Sequence, residues 1–290
     1  MHQSVLLNEV IQSLNISKDK TYVDCTLGLG GHSFEILKNL TIDGKLICLE
    51  RDLSSLELAK DRLREFNNCY LSHSNFTDLK GVLNSLNLST ITGGVLLDLG
   101  INSFQLDNPE RGFNFKSENT LDMRMDKNQE KTAYSVINNY KEERLAEVIY
   151  KYGEERLSRK IAREIINYRS KSGPIKSSNE LSRVILHCFN RNQKFKTHPA
   201  TRTFQAIRIE VNNELENIKN FLCFIQELLS PGSRLCVISF HSLEDRIIKN
   251  FLKNNSDFKT LTKKPIIPSE DEIQENPRSR SAKLRVAERI

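Results

Sequence analysis

The feature that most constrains the fold is the alternation, over the first hundred residues, of short apolar runs with amphipathic segments. Apolar runs that predict strands occupy residues 21–25, 45–50, 69–72 and 94–99. Between the second and third runs, apolar residues recur at three- and four-residue spacing, as in a helix with one buried face. Strands that alternate with helices predict βαβ units and a parallel sheet. A fifth strand is predicted at residues 234–240, directly after Pro231 and Gly232.

Between residues 108 and 202 the sequence is polar and helical, without a convincing strand. A connection of this length is too long for a loop, so it predicts a folded helical insertion. The expected organisation is an α/β sheet domain over residues 1–107 and 203–290, interrupted by a helical domain over residues 108–202. Two final strands are predicted at residues 258–267 and 282–290.

A glycine-rich segment, Gly28 to Gly31, follows the first predicted strand and opens a helix. Glycines allow a backbone to approach a ligand closely, and the amino terminus of a helix offers free N–H groups to a carboxylate or phosphate. Glu50 ends the second strand about 20 residues later, where nucleoside-binding sheets carry an acid that accepts hydrogen bonds from ribose hydroxyls. Together these features predict a site for an adenosine-containing cofactor.

Both a dinucleotide and S-adenosylmethionine fit this pattern, and two details favour S-adenosylmethionine. The dinucleotide fingerprint requires a third glycine where this chain has Ser33. Asp98 ends the fourth predicted strand, at the carboxyl edge of the sheet, where ligands of open α/β sheets bind. A carboxylate there suits the cationic sulfonium and amino group of S-adenosylmethionine. The alternative for Asp98 is a helix cap or a turn residue.

Basic residues are concentrated in the predicted insertion, although the net charge of the whole chain is only +6. Residues 156–171 contain six lysines and arginines against one acid, and residues 190–209 contain five and no acid. This composition suits a polyanion, because lysine and arginine release the counterions condensed on phosphates. A solvated helix face is the alternative for either run alone. The candidate contacts to the polyanion are Arg156, Arg159, Lys160, Arg163 and Arg202.

No apolar run reaches the roughly 18 residues that span a bilayer, and the amino terminus lacks the pattern of an export signal. The six cysteines lie far apart, without a C-x-x-C pair or a cysteine and histidine cluster at metal-ligand spacing. We therefore expect a soluble cytoplasmic protein with no membrane partner and no bound metal. The oligomeric state stays open.

Eight segments spread over nearly the whole chain resemble, in order, the signature blocks of the RsmH (MraW) family. They are TLGLGGHS at 26–33, LLDLG at 96–100, QLDNPERGFNF at 105–115, LDMRMD at 121–126, YGEER at 152–156, HPATRTFQAIR at 198–208, ISFHSLEDR at 238–246 and NPRSRSAKL at 276–284. The resemblance implies a class I (Rossmann-like) methyltransferase sheet with a helical inserted domain. It also implies methyl transfer from S-adenosylmethionine to the 4-amino group of one cytidine in the 16S rRNA of the small ribosomal subunit.

The resemblance further implies which residues contact the cofactor. Glu50 would lie at the ribose, Phe76 beside the adenine, and Asp98 and Gln105 near the methionine moiety. The glycine loop would contribute Gly30, Gly31 and His32. Three departures from the family pattern bear on this site: Glu50 stands where aspartate is more common, Cys25 where a small residue is usual, and residues 102–104 read Asn-Ser-Phe instead of Ser-Ser-Pro.

The 4-amino group of cytosine is a poor nucleophile because its lone pair is conjugated with the ring. Hydrogen-bond acceptors facing its two N–H bonds can localise that lone pair, and positioning supplies much of the rate. Asp98 and His241, at the ends of two strands, are the candidate catalytic residues. Two other functions remain open at this stage: an RNA-binding assembly factor that keeps the cofactor pocket without turnover, and a methyltransferase of proteins or small molecules.

Overall fold

The computed structural model describes residues 4–118, 120–190, 194–195 and 197–290. The chain divides into two compact units. We call Met1–Gly100 with Leu215–Ile290 the sheet unit, and Ile101–Glu214 the helical unit. None of the described helices is long and apolar enough to cross a membrane.

The sheet unit contains a seven-stranded sheet whose order is β3-β2-β1-β4-β5-β7-β6. The first five strands pair in parallel, and β7 runs antiparallel to both of its neighbours. This is the expected α/β class with the doubly wound topology of class I methyltransferases. The strands are β1 (Thr21–Asp24), β2 (Lys45–Glu50), β3 (Cys69–His73), β4 (Gly94–Asp98), β5 (Arg234–Ser239), β6 (Phe258–Thr260) and β7 (Lys283–Arg289).

Helices cover both faces of this sheet, because successive strand residues point to opposite sides and both sides are apolar. In β2, Leu46 and Cys48 face one core cluster while Ile47 and Leu49 face the other. The helices of this unit are α1 (Leu7–Leu14), α2 (Gly31–Lys38), α3 (Leu53–Leu63), α4 (Leu79–Ser85), α11 (Glu214–Leu228), α12 (Ser242–Asn254) and α13 (Glu270–Glu275), with 3-10 turns at Phe76–Asp78 and Pro277–Ser281.

The helical unit has its own apolar core. Its α-helices are α5 (Ser103–Asp107), α6 (Ala133–Asn139), α7 (Glu142–Gly153), α8 (Ser158–Ser172), α9 (Ser178–Leu186) and α10 (Thr201–Asn212), and a 3-10 turn spans Pro109–Arg111. Among its described residues there is no strand.

The unit boundaries differ from the expected 107/108 and 202/203. Contacts place them at 100/101 and 214/215 instead. The displaced elements are α5 and α10, and α10 belongs to the helical unit because Phe204, Ile207 and Val211 are buried in that unit's core. A second difference concerns β6, which ends at Thr260, well before the expected residue 267. Beyond it the Leu261 N–H donates to the Val286 carbonyl at 2.9 Å, and an isolated bridge joins Ile266 to Leu284 of β7.

Candidate active site

The glycine loop leaves β1 at Asp24 and enters α2 at Gly31. Gly28 and Gly30 have φ angles of 53° and 75°, in the left-handed region that favours glycine. A Cβ at Gly31 would overlap the Ser4 hydroxyl oxygen, so a side chain there would force Ser4 to move. The loop therefore brings bare backbone to the carboxyl edge of the sheet, as the sequence predicted.

Glu50 is bound to this loop by its carboxylate. Its Oε2 accepts a hydrogen bond from the Gly28 N–H at 2.7 Å, and its Oε1 accepts one from the Asp52 N–H at 2.8 Å. The side chain is 8% exposed. Because an ionised carboxylate offers about four lone-pair positions, the two that remain can receive ribose hydroxyls. The contact with Gly28 gives Glu50 a second task, positioning the loop, which spacing alone did not predict.

Replacing Glu50 by alanine is expected to weaken S-adenosylmethionine binding by about 1.5–3 kcal/mol, or roughly 10- to 150-fold in Kd. The loss combines the charge-assisted bonds to the ribose with the anchor of the loop. Glu50→Asp is the matched control, since it keeps the charge and should bind more tightly than the alanine variant. Calorimetry gives the affinities, and an alanine variant with unchanged Kd would contradict both tasks.

Asp98 ends β4 beside the glycine loop. Its N–H donates to the Thr26 hydroxyl at 2.6 Å, and its Oδ2 lies 3.7 Å from Nδ1 of His32. Its Oδ1 is buried and has no hydrogen-bond partner among the described residues. Burial raises the pKa of Asp98 well above its ordinary range, and the nearby carboxylates of Asp24 and Glu244 raise it further.

Asp24 adds a second acid to this edge, one that the sequence interpretation did not single out. It is buried, and it accepts hydrogen bonds from the Ser33 hydroxyl at 2.6 Å and the Thr26 N–H at 3.1 Å. Burial raises the pKa of Asp24 to about 6, although these two hydrogen bonds lower it. Within the described part of the sheet unit, neither Asp24 nor Asp98 has a lysine or arginine partner. An acidic edge of this kind suits a cationic ligand. Its position could have identified it from the sequence, because Asp24 is the last residue of β1 and directly precedes the glycine loop.

These raised pKa values predict how stability depends on pH. Burial also raises the pKa of Glu50, to about 7. Because Asp24 and Glu50 hold protons more tightly in the folded state, their contribution to stability is present at about pH 4 and is lost as the pH rises to about 7. We expect the free energy of unfolding of the cofactor-free protein to fall by a few kcal/mol over this interval. Urea unfolding at several pH values checks this, and a rising stability would contradict it.

His241, the second candidate catalytic residue, precedes α12 as its amino-terminal cap. Its Nδ1 accepts the Glu244 N–H at 3.4 Å, and its Nε2 lies 3.3 Å from Glu244 Oε1. Glu244 in turn accepts the Phe240 N–H at 2.8 Å. His241 thus has a structural task at the end of β5, and its catalytic role stays a prediction.

Phe76 and Gln105 also have structural contacts. The Phe76 ring packs edge-on against Phe221, with centroids 5.6 Å apart, and is 8% exposed. Gln105 belongs to the helical unit, where its side chain accepts the Asn102 N–H at 3.2 Å and completes a capping box for α5. Asn102, one of the departures from the family pattern, is the cap. The adenine contact of Phe76 and the methionine contact of Gln105 stay predictions.

The basic candidates of the helical unit are all exposed. On α8, Lys160 Nζ donates to the Cys188 carbonyl at 2.7 Å, and Arg163 Nε lies 3.4 Å from Glu142 Oε1. Arg202 donates to the Glu154 carbonyl at 3.2 Å. Arg156 and Arg159 have no hydrogen bond or ion pair with any residue that the structure describes. We use the name basic face for four residues: Arg156, in the turn before α8, and Arg159, Lys160 and Arg163 of α8. The three on the helix lie on the side away from its buried residues.

Two members of the second basic run, Arg191 and Lys196, lie outside the described residues. Arg169, which the charge count included, has a structural task. Its guanidinium donates to the carbonyls of Ile137 at 2.5 Å and Tyr140 at 2.7 Å, at the carboxyl end of α6. The six basic residues counted in residues 156–171 therefore include one arginine that caps a neighbouring helix.

The chain is similar over its full length to proteins from several bacteria. It is 50% identical to the ribosomal RNA small subunit methyltransferase H of Thermosipho africanus, covering 100% of this chain and 98% of that protein. It is 47% identical to the protein of the same name from Caldicellulosiruptor saccharolyticus, covering 100% and 99%. A solved rRNA methylase structure from Streptococcus thermophilus aligns over 100% of this chain and 99% of its own, with a TM-score of 0.47 and 10% identity.

The family model described as the MraW methylase family matches residues 1–290. This match agrees with the signature blocks, the sheet order and the acidic edge beside a glycine loop. The chain therefore belongs to the MraW methylase family, whose methyl donor is S-adenosylmethionine.

Proposed function

We propose that this protein transfers a methyl group from S-adenosylmethionine to the 4-amino group of a cytidine in the 16S rRNA of the small ribosomal subunit. The observation that carries the proposal is the buried, unpartnered Oδ1 of Asp98 at the carboxyl edge of the sheet. The names of the relatives, which are ribosomal RNA small subunit methyltransferases, support the RNA class. Such a reaction belongs in the cytoplasm, where small subunits are assembled.

The residues at this edge fit the methyl donor. The glycine loop brings backbone to the edge where it binds, the Glu50 carboxylate offers acceptors to the ribose, and Asp24 and Asp98 offer negative charge to its cationic groups. His32 and Gln105 are the other residues that we assign to its binding. When bound, S-adenosylmethionine supplies an electrophilic methyl group on its sulfonium.

Asp98 acts on the amino group of the substrate. An oxygen that accepts one of its N–H bonds localises the nitrogen lone pair, which is otherwise delocalised into the ring. Methylation leaves the nitrogen with one proton to lose, and Asp98 Oδ1 is the acceptor for it. Asp98 must be ionised to accept that proton, and its raised pKa makes the carboxylate a stronger base once it is ionised. His241, just beyond the end of the neighbouring strand β5, remains the second candidate acceptor for the amino protons.

The RNA reaches this site as an unstacked nucleotide, since enzymes that act on a base must take it out of the stack. Single-stranded or looped RNA presents its base edges, whereas A-form helices hide them. The basic face and Arg202 contact phosphates of the same RNA. Their exposure supports this assignment.

Mass spectrometry of 16S rRNA nucleosides tests the function. RNA from a strain that lacks the gene is compared with RNA from the same strain carrying either the wild-type gene or Asp98→Asn. We expect a 4-amino-methylated cytidine only with the wild-type gene. An assembly factor without turnover would bind S-adenosylmethionine and leave the three RNA samples identical. A methyltransferase of proteins or small molecules would do the same while transferring label to another fraction.

A further inference from the structure

His32 joins two parts of the sheet unit that are far apart in sequence. It is the second residue of α2 and is 5% exposed. Its Nε2 lies 3.0 Å from the carbonyl oxygen of Val5, and its Nδ1 lies 3.7 Å from Oδ2 of Asp98. Because a carbonyl oxygen can only accept, Nε2 carries a hydrogen and donates it. The Nδ1 side of the ring is therefore the side that faces the carboxyl group.

This arrangement determines how many protons the two groups hold. A neutral imidazole with its hydrogen on Nε2 has a lone pair on Nδ1. That lone pair would face the lone pairs of an ionised Asp98, which is unfavourable in a buried site. A proton on Nδ1 removes the conflict, because the ring is then an imidazolium that faces the ionised carboxylate as an ion pair.

Charged groups around the pair favour retention of that proton. Asp24 at the end of β1 and Glu244 in the first turn of α12 both face Asp98. On the side of the amino-terminal segment, Glu272 of α13 accepts the Leu6 N–H at 2.8 Å. Arg62 of α3 lies at the glycine loop, with Nη1 3.4 Å from the Leu29 carbonyl. Acids therefore predominate around Asp98, and His32 is the basic side chain that is paired with it.

We propose that His32 is a positioning residue for Asp98: as an imidazolium it forms an ion pair with Oδ2 and thereby keeps Asp98 ionised, with Oδ1 as an acceptor for the amino group of the substrate. This task differs from contact with the cofactor through the glycine loop. This proposal for His32 depends on the proposed function only because that function supplies the substrate's amino group. The ion pair is a property of the cofactor-free protein.

Two substitutions test the roles of the two ring nitrogens separately. In His32→Gln, the side-chain amide reaches the position of Nε2 and can still donate to the Val5 carbonyl, but nothing replaces Nδ1. In His32→Asn, the amide nitrogen takes the position of Nδ1 and can donate to Asp98, but the side chain is too short to reach Val5. The proposal predicts that the glutamine variant is the impaired enzyme. A merely structural role, as an anchor for residue 5, predicts the reverse.

The first measurement is the titration of the Asp98 carboxyl carbon by NMR in the cofactor-free protein, with Asp98→Asn to assign the signal. Loss of the partner at Nδ1 should raise the pKa of Asp98 by one to two units in His32→Gln and change it little in His32→Asn. Identical titrations in wild type and His32→Gln would overturn the proposal. This result does not depend on which RNA is methylated.

The second measurement is the pH profile of single-turnover methyl transfer to small subunits. With a pKa raised by one to two units, the ionised fraction of Asp98 falls by about ten- to a hundred-fold below that pKa. We expect His32→Gln to lose activity by that factor at neutral pH and to recover as the pH rises, and to be more impaired at neutral pH than His32→Asn. An equal loss at every pH, or a greater loss in His32→Asn, would overturn the proposal. If wild type itself failed to methylate small subunits, the proposed function would fail and the titration would still decide the role of His32.

Discussion

Asp98→Asn is expected to slow methyl transfer to 16S rRNA by about a hundred- to a thousand-fold, the usual cost of removing one preorganised polar group from an active site. The asparagine keeps the size of the side chain and its place at the end of β4. It cannot accept the proton that the amino group loses, and it presents no negative charge to the cationic donor. Single-turnover rates with saturating S-adenosylmethionine measure the chemical step. Near-normal rates would contradict the role of Asp98.

The stability of the same variant shows whether its inactivity has a structural cause. The pKa of Asp98 is raised well above its ordinary range, so ionising this carboxyl costs the folded protein stability as the pH rises. Asparagine does not ionise. The cofactor-free variant should therefore melt at a higher temperature than wild type at pH 8 and at nearly the same temperature at pH 4. A variant that melts lower at both pH values would point to a packing role for Asp98.

Sequence periodicity predicted the sheet well where strands are buried on both faces. The expected bounds of β2, residues 45–50, are those of the structure, because Leu46 to Leu49 form a continuous apolar run between polar ends.

The expected end of β6 was wrong by seven residues. Residues 261–267 include Leu261, Ile266 and Ile267, which read as a strand, but pairing with β7 extends only from Phe258 to Thr260, and periodicity cannot show where a partner strand ends.

The unit boundaries were displaced for a similar reason. The spacing of apolar residues in helix α10 shows that one of its faces is buried. It does not show against which of the two units that face packs. The structure assigns it through Phe204, Ile207 and Val211, which are buried among residues of the helical unit. No glycine or proline breaks the chain at residues 213 to 215 to mark the boundary.

Individual site residues were predicted by type and position, whereas their partners were not. Glu50 was expected to bind ribose, but its bond to the Gly28 N–H depends on how β2 and the glycine loop meet in space. Arg169 and Arg159 are alike in sequence, being arginines on one helix within a basic run. Only the structure shows that Arg169 caps α6 while Arg159 points to solvent.

Replacing the basic face by glutamine, at Arg156, Arg159, Lys160 and Arg163, is expected to raise the Michaelis constant for the RNA substrate and to spare S-adenosylmethionine binding. Each phosphate contact to single-stranded RNA contributes about 0.7 to the slope of log affinity against log salt, so four contacts change it by about 3 units. Between 50 and 200 mM salt this corresponds to a roughly fifty-fold difference in how steeply affinity declines. Filter binding of 16S rRNA fragments across a salt series measures the slope.

The structure divides the basic face into two pairs, which sharpens the test. Arg156 and Arg159 have no partner among the described residues, so their double replacement should flatten the salt slope without lowering the melting temperature. Lys160 donates to the Cys188 carbonyl, and its replacement should also cost some stability.

Arg169→Gln on the same helix is the matched control. It removes one charge and two hydrogen bonds to the end of α6, so it should lower the melting temperature and leave the salt slope near that of wild type. If Arg156 and Arg159 behaved like Arg169, or left the slope unchanged, α8 would not bind the RNA backbone. Arg202, which is exposed at the start of α10, would then be the next residue to replace.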